Sequence, residues 1–465
     1  MPAIHSPIDG QPAFSFTQLD GAAALAKLTA AAEAQQAWRQ TSLGERKALL
    51  LAMLDRYAER AQENAEAITR MMGKPLAQAA GEFSGGFCQR VHHLCDLAER
   101  ALADLEISKG ESDGIKRLIR REPVGVVLNI AAWNYPLLVP INLVAAAILA
   151  GDAVLLKHAE QTALVADQLE RAFTEAGAPA GLFTALHVDH RTAAQVIDSG
   201  RLGYVAFTGS VRGGHEVYRQ VAEKNFIGVG LELGGKDPAL VLEGAPAAKV
   251  AAQLADGSFY NAGQSCCAVE RIYVHRSLYD EFVEAFVAEV QRIKVGDPLD
   301  AATTMGPLVN PAAAARIRDQ AAEALAKGAR KLSCDSSFSV PDRSPCYVAP
   351  QVFDGVDHSM ALMREESFGP IIGIMPFDHD EQALALANDS RFGLSASVWT
   401  EDDVRALAVA ERLQAGTVFQ NRCDYLDPAL AWTGVKDSGH GASLSELGFH
   451  AVTRPRSYHL RHRIP

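Results

Sequence analysis

Between Gly21 and Ala103 the chain is written in Ala, Leu, Glu, Gln and Arg, and apolar residues recur at every third or fourth position. That period belongs to amphipathic helices. Leu49, Leu50, Met53, Leu54 and Tyr57 form one such stripe and predict a core face. Gly110 to Arg121 predicts a hairpin, with Asp113-Gly114 as its turn and Ile115, Leu118 and Ile119 on a basic strand. From Pro123 the rhythm changes to strand, turn, helix. Val124 to Ile130, Ala153 to Leu156, Tyr204 to Phe207 and Phe226 to Leu233 are β-rich runs, and helical text fills Thr162 to Ala176. A second cycle opens at Pro238 and continues through helical segments at Tyr279 to Ile293, near Glu381 and near Asp402. Strands alternating with helices predict parallel sheets covered on both faces, hence an α/β fold of two doubly wound, Rossmann-like lobes.

Composition narrows the class. A chain of 465 residues accommodates two or three domains, at roughly 150 residues each. Its 48% apolar and 22% charged residues are those of a globular protein. A net charge of −12 argues against a surface built to grip nucleic acid or anionic lipid. Seven cysteines cannot all pair; Cys88, Cys95, Cys334, Cys346 and Cys423 stand apart, without C-x-x-C spacing. A disulfide or zinc framework is not expected, and a reducing, cytoplasmic compartment fits. Met1 to Pro7 has no basic stretch followed by an apolar run, so no signal peptide is read. Leu137 to Ala150, broken by Pro140 and Asn142, is shorter than the roughly 20 residues of a membrane span.

Candidate chemistry falls at strand ends. Thr208-Gly209-Ser210 lies between a strand and a helix, whose unpaired N–H groups suit a pyrophosphate, with Gly213 and Gly214 permitting close approach. No G-x-G-x-x-G fingerprint follows the first strand. Lys157-His158-Ala159-Glu160 ends another strand, where either ribose contacts or a surface ion pair would fit. Cys266 in Asn261-Ala-Gly-Gln-Ser-Cys266-Cys267 is a thiol in a glycine-containing loop, either activated or simply buried. Glu232 between Leu231 and Leu233 should have a raised pKa, suited to a general base. Asn134 in Trp133-Asn134-Tyr135-Pro136 offers an amide donor for an oxyanion.

Six segments together carry a resemblance over nearly the full length: Trp133-Asn-Tyr-Pro, Lys157-His-Ala-Glu160, Phe207-Thr-Gly-Ser210, Leu231-Glu-Leu-Gly-Gly-Lys236, Gly263-Gln-Ser-Cys266 and Glu365-Glu-Ser-Phe-Gly-Pro370. In order and spacing the chain resembles the aldehyde dehydrogenase superfamily. The resemblance implies Cys266 as nucleophile, Asn134 and the Cys266 N–H as oxyanion donors, and Glu232 as the base that hydrolyses a thioester. It implies that Lys157 and Glu160 hold the adenosine ribose, Gly209 and Ser210 the pyrophosphate, and Glu366 the nicotinamide ribose, with Trp133, Leu233 and Phe368 packing alongside. NAD is expected over NADP, because Glu160 repels a 2′-phosphate. Residues 1–105 and 123–233 would form the NAD-binding domain and 234–452 the catalytic domain. Residues 106–122 and 453–465 would form an element that assembles homodimers, with tetramers left open. The partner is a small aldehyde, with neither nucleic acid nor membrane.

The substrate loop departs from the family pattern. Tyr135, Leu138, Leu426 and Trp432 would line an apolar sleeve, with Asn142 a polar exception. Arg422 would grip a substrate carboxylate, making the substrate a semialdehyde, or Asp424 would receive an amine, or the two would neutralise each other. His158 is expected as a loop histidine near the adenine, and no cluster has metal-ligand spacing. Cys267 is expected to point away from its neighbour by extended-chain alternation. The basic end, Arg454, Arg456, His459, Arg461, His462 and Arg463, reads as a strand crossing to a partner subunit. Rival readings are a coenzyme A- or phosphate-linked reductase, which Glu232 disfavours, and a non-catalytic relative.

Overall fold

Runs of buried aliphatic residues make the two large sheets. Val126–Ala131, Ala153–His158, Phe183–Ala185, Tyr204–Thr208 and Gly228–Glu232 pair in parallel, in the spatial order 183, 153, 126, 204, 228. Val126–Ala131, Ala153–His158 and Phe183–Ala185 are buried almost throughout, as strands covered on both faces are. A computed structural model provides these coordinates and describes residues 3–107, 115–461 and 464. The second sheet holds Asp237–Val241, Val269–His275, Gln351–Asp354, Ile371–Phe377, Ser395–Trp399 and Thr417–Gln420, all parallel, with Arg330–Lys331 antiparallel at one edge. Two α/β lobes therefore stand as the sequence predicts.

The chain passes between the sheets through Gly234-Gly235-Lys236. A Cβ on Gly235 would come within 2.3 Å of the Cys266 carbonyl oxygen, so no side chain fits at that crossing. The carboxyl ends of the first sheet thus face the loop that enters Val269–His275. Open α/β sheets bind ligands at that edge. Gly439–His440 returns to the first sheet, antiparallel to Gly228–Glu232, and the helix Ser445–Ala451 packs against helices of the same lobe.

The N-terminal text folds as predicted into helices: Gly21–Trp38, Leu43–Ala58, Ala61–Met72, Leu76–Gly81 and Cys88–Ala101. Leu49, Leu50, Met53, Leu54 and Tyr57 are all buried. Between the last two helices, Glu82–Phe87 widens into a π-turn, a feature that often marks functional sites. Its Glu82 accepts the N–H groups of Leu137 (2.7 Å) and Leu138 (3.0 Å), capping the apolar helix Leu138–Ala150 from a distance. Among the described residues no helix is long and apolar enough to cross a membrane.

A three-stranded antiparallel sheet stands apart, Thr453–Arg461 beside Ile115–Pro123 beside Leu105–Glu106. Two of its basic residues find acidic partners: Arg120 pairs with Asp104 at 2.7 Å, and Arg456 with Glu122 at 3.0 Å. The turn at Asp113-Gly114, with His462 and Arg463, lies outside the described residues.

Candidate active site

Two cavities meet at four residues. One, of about 690 Å³, lies between the π-turn, the helix Leu138–Ala150 and the loop 421–432. The other, of about 340 Å³, lies over the carboxyl ends of the first sheet. Asn134, Glu232 and Cys266 line both, as does Thr208. The structure therefore brings the three sequence-predicted catalytic side chains to one junction.

The Cys266 loop is held by strain and by hydrogen bonds. Asn261 (φ 52°) and Ala262 (φ 57°) sit in the left-handed region, at about 1–3 kcal/mol each. The Asn261 amide donates to the Asn134 carbonyl at 3.1 Å and to the Gln264 carbonyl at 3.2 Å. The Gln264 carboxamide donates to Asn261 O at 3.1 Å and accepts from Val309 N at 2.9 Å. The Asn134 side-chain amide is buried and donates to Gln264 O at 3.2 Å. Among the described residues the Cys266 N–H donates to no acceptor. Cys266 is partly exposed, at a junction that Asn134 also lines.

Glu232 ends the strand Gly228–Glu232 in register with Thr208. Its carboxyl accepts the Ser443 hydroxyl at 2.5 Å and that of Thr208 at 3.5 Å. Burial pushes it above the usual carboxylate range, opposed by Ser443, by the Arg90 guanidinium and by Thr208. Ser443 is fixed in turn by a two-way backbone bridge to Trp432 (2.8 and 2.9 Å).

Six of the eight predicted cofactor residues line the second cavity: Trp133, Gly209, Ser210, Leu233, Glu366 and Phe368. Ser210 caps the helix Val211–Lys224, its hydroxyl accepting from Gly213 N at 3.2 Å. A Cβ on Gly213 would lie 2.6 Å from the Phe207 ring, so glycine there lets the helix terminus sit down on the sheet. Glu366 accepts Gly235 N at 3.0 Å, and burial, with the Glu270 charge, raises it to about 7. Phe368 (φ 50°) stands edge-on to Trp133 at 5.6 Å. Behind this turn Glu270 accepts from Ser367 N (2.8 Å), Phe368 N (2.9 Å) and the buried Lys236 ammonium (2.6 Å). Lys157 and Glu160 lie outside that cavity, by the end of the strand Ala153–His158. Lys157 is buried, which pulls its ammonium below the usual range against the attraction of Glu160.

All seven predicted pocket residues line the first cavity: Tyr135, Leu138, Asn142, Arg422, Asp424, Leu426 and Trp432. The two loop charges do not pair. Arg422 is exposed and lies 3.5 Å over the Tyr425 ring, whereas Asp424 accepts from Ser265 Oγ (2.7 Å) and Cys267 Sγ (3.1 Å). Burial raises the Asp424 carboxyl, against those two hydrogen bonds.

Two expectations are corrected. Cys267 does not point away: it lines the same cavity as Cys266, and the Cys266 side chain, with burial, holds its thiol well above the usual range. Ala268 N bonds to Ser265 O, so the segment is a turn and strand alternation does not apply. His158 is not in a loop but ends a strand, buried, with Nε2 3.0 Å from Pro136 O and Nδ1 2.9 Å from Thr162 Oγ1. Burial lowers it to about 4, so it is a neutral brace for the Trp133–Pro136 turn.

Sequence reasoning missed Arg90, Glu82 and Ser443, and read Thr208 only as part of the pyrophosphate turn. The first two sit in helical text read only as core faces. The 24-residue offset of Thr208 from Glu232 shows no local pattern. All seven cysteines are free thiols, and among the described residues no group of three or more His, Cys, Asp or Glu could hold a metal ion.

Comparison with known proteins gives the family. Residues 2–458 match the model of the aldehyde dehydrogenase family. An aldehyde dehydrogenase of Paenarthrobacter nicotinovorans is 35% identical over 90% of this chain and 91% of its own. A succinate semialdehyde dehydrogenase [NAD(P)+] of Escherichia coli K12 is 35% identical over 89% of this chain and 88% of its own. The crystal structure of an NAD-dependent aldehyde dehydrogenase from Sinorhizobium meliloti superposes with a TM-score of 0.94 at 31% identity, covering 100% of this chain and 91% of that one. With both lobes, the crossing between them and the whole length accounted for, the chain belongs to the aldehyde dehydrogenase family.

Proposed function

We propose that the chain oxidises an aldehyde to the free carboxylic acid with NAD, through a covalent adduct on Cys266. The observation that carries this reading is the convergence of Cys266, Glu232 and Asn134 where the two cavities join. The substrate's carbonyl carbon enters from the larger cavity and is attacked by the Cys266 thiolate. The oxyanion of the thiohemiacetal is held by Asn134 Nδ2 and the Cys266 N–H. A bound nicotinamide dinucleotide supplies the hydride acceptor. Glu232 then takes a proton from water, whose oxygen attacks the thioester and releases the acid and the Cys266 thiolate. Such a base contributes on the order of 10²–10⁴-fold.

The second cavity suits a dinucleotide. The terminus of Val211–Lys224 presents N–H groups to a pyrophosphate, beside Gly209 and Ser210. Glu366 would accept ribose hydroxyls, and Trp133, Leu233 and Phe368 would pack on the nicotinamide side. Lys157 and Glu160 would hold the adenosine ribose, and the Glu160 charge disfavours the 2′-phosphate of NADP. The sheet of Ile115–Pro123 and Thr453–Arg461 is the proposed dimerisation element.

The test is NADH formation across aliphatic, aromatic, ω-carboxy and ω-amino aldehydes, on wild type and Cys266→Ala, without coenzyme A. Free acid from wild type and none from the variant is the expected result. Activity that survives in the variant overturns the mechanism.

A further inference from the structure

The larger cavity contains a buried cation with no carboxylate paired to it among the described residues. Arg90, on the helix Cys88–Ala101, is 5% exposed and lines the cavity wall beside Leu138 and Asn142. Its Nη1 donates to Leu138 O at 2.9 Å and Asn142 Oδ1 at 2.8 Å. Its Nε is buried without a hydrogen bond, and Nη2 donates to no acceptor among the described residues. A guanidinium removed from water normally pairs with a carboxylate or a phosphate, because desolvation is otherwise uncompensated. The nearby acids do not supply that partner. Glu82 is spent on Lys74 (2.8 Å) and on two backbone N–H groups, and Glu232 is held by Ser443. Neutral Asn142 holds one arm of the fork and leaves the other donors in place.

We infer that Arg90 is the residue that selects the substrate, by pairing with a carboxylate carried on the aldehyde. This deepens the proposed function and rests on it. Arg90 and Cys266 line the same cavity, so a carboxylate at the Arg90 wall shares it with a carbonyl at Cys266. Arg422, exposed over Tyr425, is not needed for this pairing.

The experiment compares 4-oxobutanoate with its neutral isostere 4-methylpentanal. The ratio of their kcat/KM values should fall about 10- to 100-fold in Arg90→Gln, the loss of a charge-assisted pair. Arg90→Lys should keep an intermediate ratio. Equal losses on both substrates would assign Arg90 to structure or to tuning Glu232, and overturn the proposal. So would a selective loss in Arg422→Gln instead. A binding arm uses succinate and the neutral succinamide, read as protection against thermal unfolding. Wild type should be protected by succinate alone, and Arg90→Gln by neither; equal protection of wild type by both probes overturns the assignment. Should Arg90→Gln not fold, Arg90→Lys and the wild-type binding arm decide. Wild type that oxidises no aldehyde would defeat the proposed function, and the succinate arm would still read Arg90 by itself.

Discussion

Glu270→Gln should loosen the cofactor side of the site from behind and destabilise the fold. Glu270 lines neither cavity of the site, yet its two oxygens hold Lys236, Ser367 N and Phe368 N. Lys236 is 1% exposed, and among the described residues its only other acceptor is Ser367 Oγ at 3.0 Å. Burial already pulls the Lys236 ammonium below its usual range, and the Glu270 charge is the chief opposing influence. Removing one partner of a buried ion pair leaves an uncompensated charge, typically at about 3–5 kcal/mol. The amide keeps one acceptor but must aim its NH2 at a second donor, so the turn that places Glu366 and the strained Phe368 also relaxes. Glu366 is raised to about 7, with the Glu270 charge contributing after burial. The variant should therefore show three effects: a lower urea midpoint, a higher KM for NAD, and a Glu366 midpoint shifted toward acid. Urea unfolding followed by fluorescence measures the first, and KM for NAD between pH 5 and 9 measures the others. A stability loss below about 1 kcal/mol with an unchanged KM profile would refute the reasoning.

Glu366→Gln should abolish the rise in NAD affinity as pH increases through about 7, because in the proposed binding mode the carboxylate, not the acid, would accept the ribose hydroxyls. The same group, raised above its ordinary 4.5, destabilises the unliganded fold progressively as pH rises from 4.5 through about 7; pH-dependent thermal unfolding reads this, and the slope should diminish in the variant. Ser443→Ala removes the hydrogen bond that favours ionised Glu232. Its kcat profile should rise at a higher pH than wild type, since hydrolysis needs the carboxylate. Glu160→Gln should raise kcat/KM with NADP relative to NAD, about tenfold for each 1.4 kcal/mol of relieved repulsion; an unchanged ratio counts against Glu160 as the discriminator.

The lobes were legible because each strand has an apolar run and each site motif sits at its carboxyl end. Trp133-Asn134, Gly209-Ser210 and Glu232 are local signals, and the parallel register aligns them without further information. Cys266 was legible for the same reason, in a loop whose glycine is required by its φ of 69° and by the Gly369 carbonyl 2.5 Å away from a Cβ. Side chains contributed by packing were not legible. Arg90 and Glu82 sit among Ala, Leu and Gln at helical spacing, where a charge reads as a solvated face. Only the docking of Cys88–Ala101 on Leu138–Ala150 turns Arg90 inward. Cys267 and His158 were misplaced for a local reason: a turn replaced an extended segment in one, and a strand ran two residues further than its apolar text in the other.

The central claim is tested most directly by mass spectrometry of Glu232→Gln after mixing with NAD and aldehyde. The account predicts one equivalent of NADH in a burst, with the acyl mass retained on the peptide carrying Cys266 and released only slowly. A burst with no acyl mass on that peptide, or steady turnover to free acid at the wild-type rate, would contradict it.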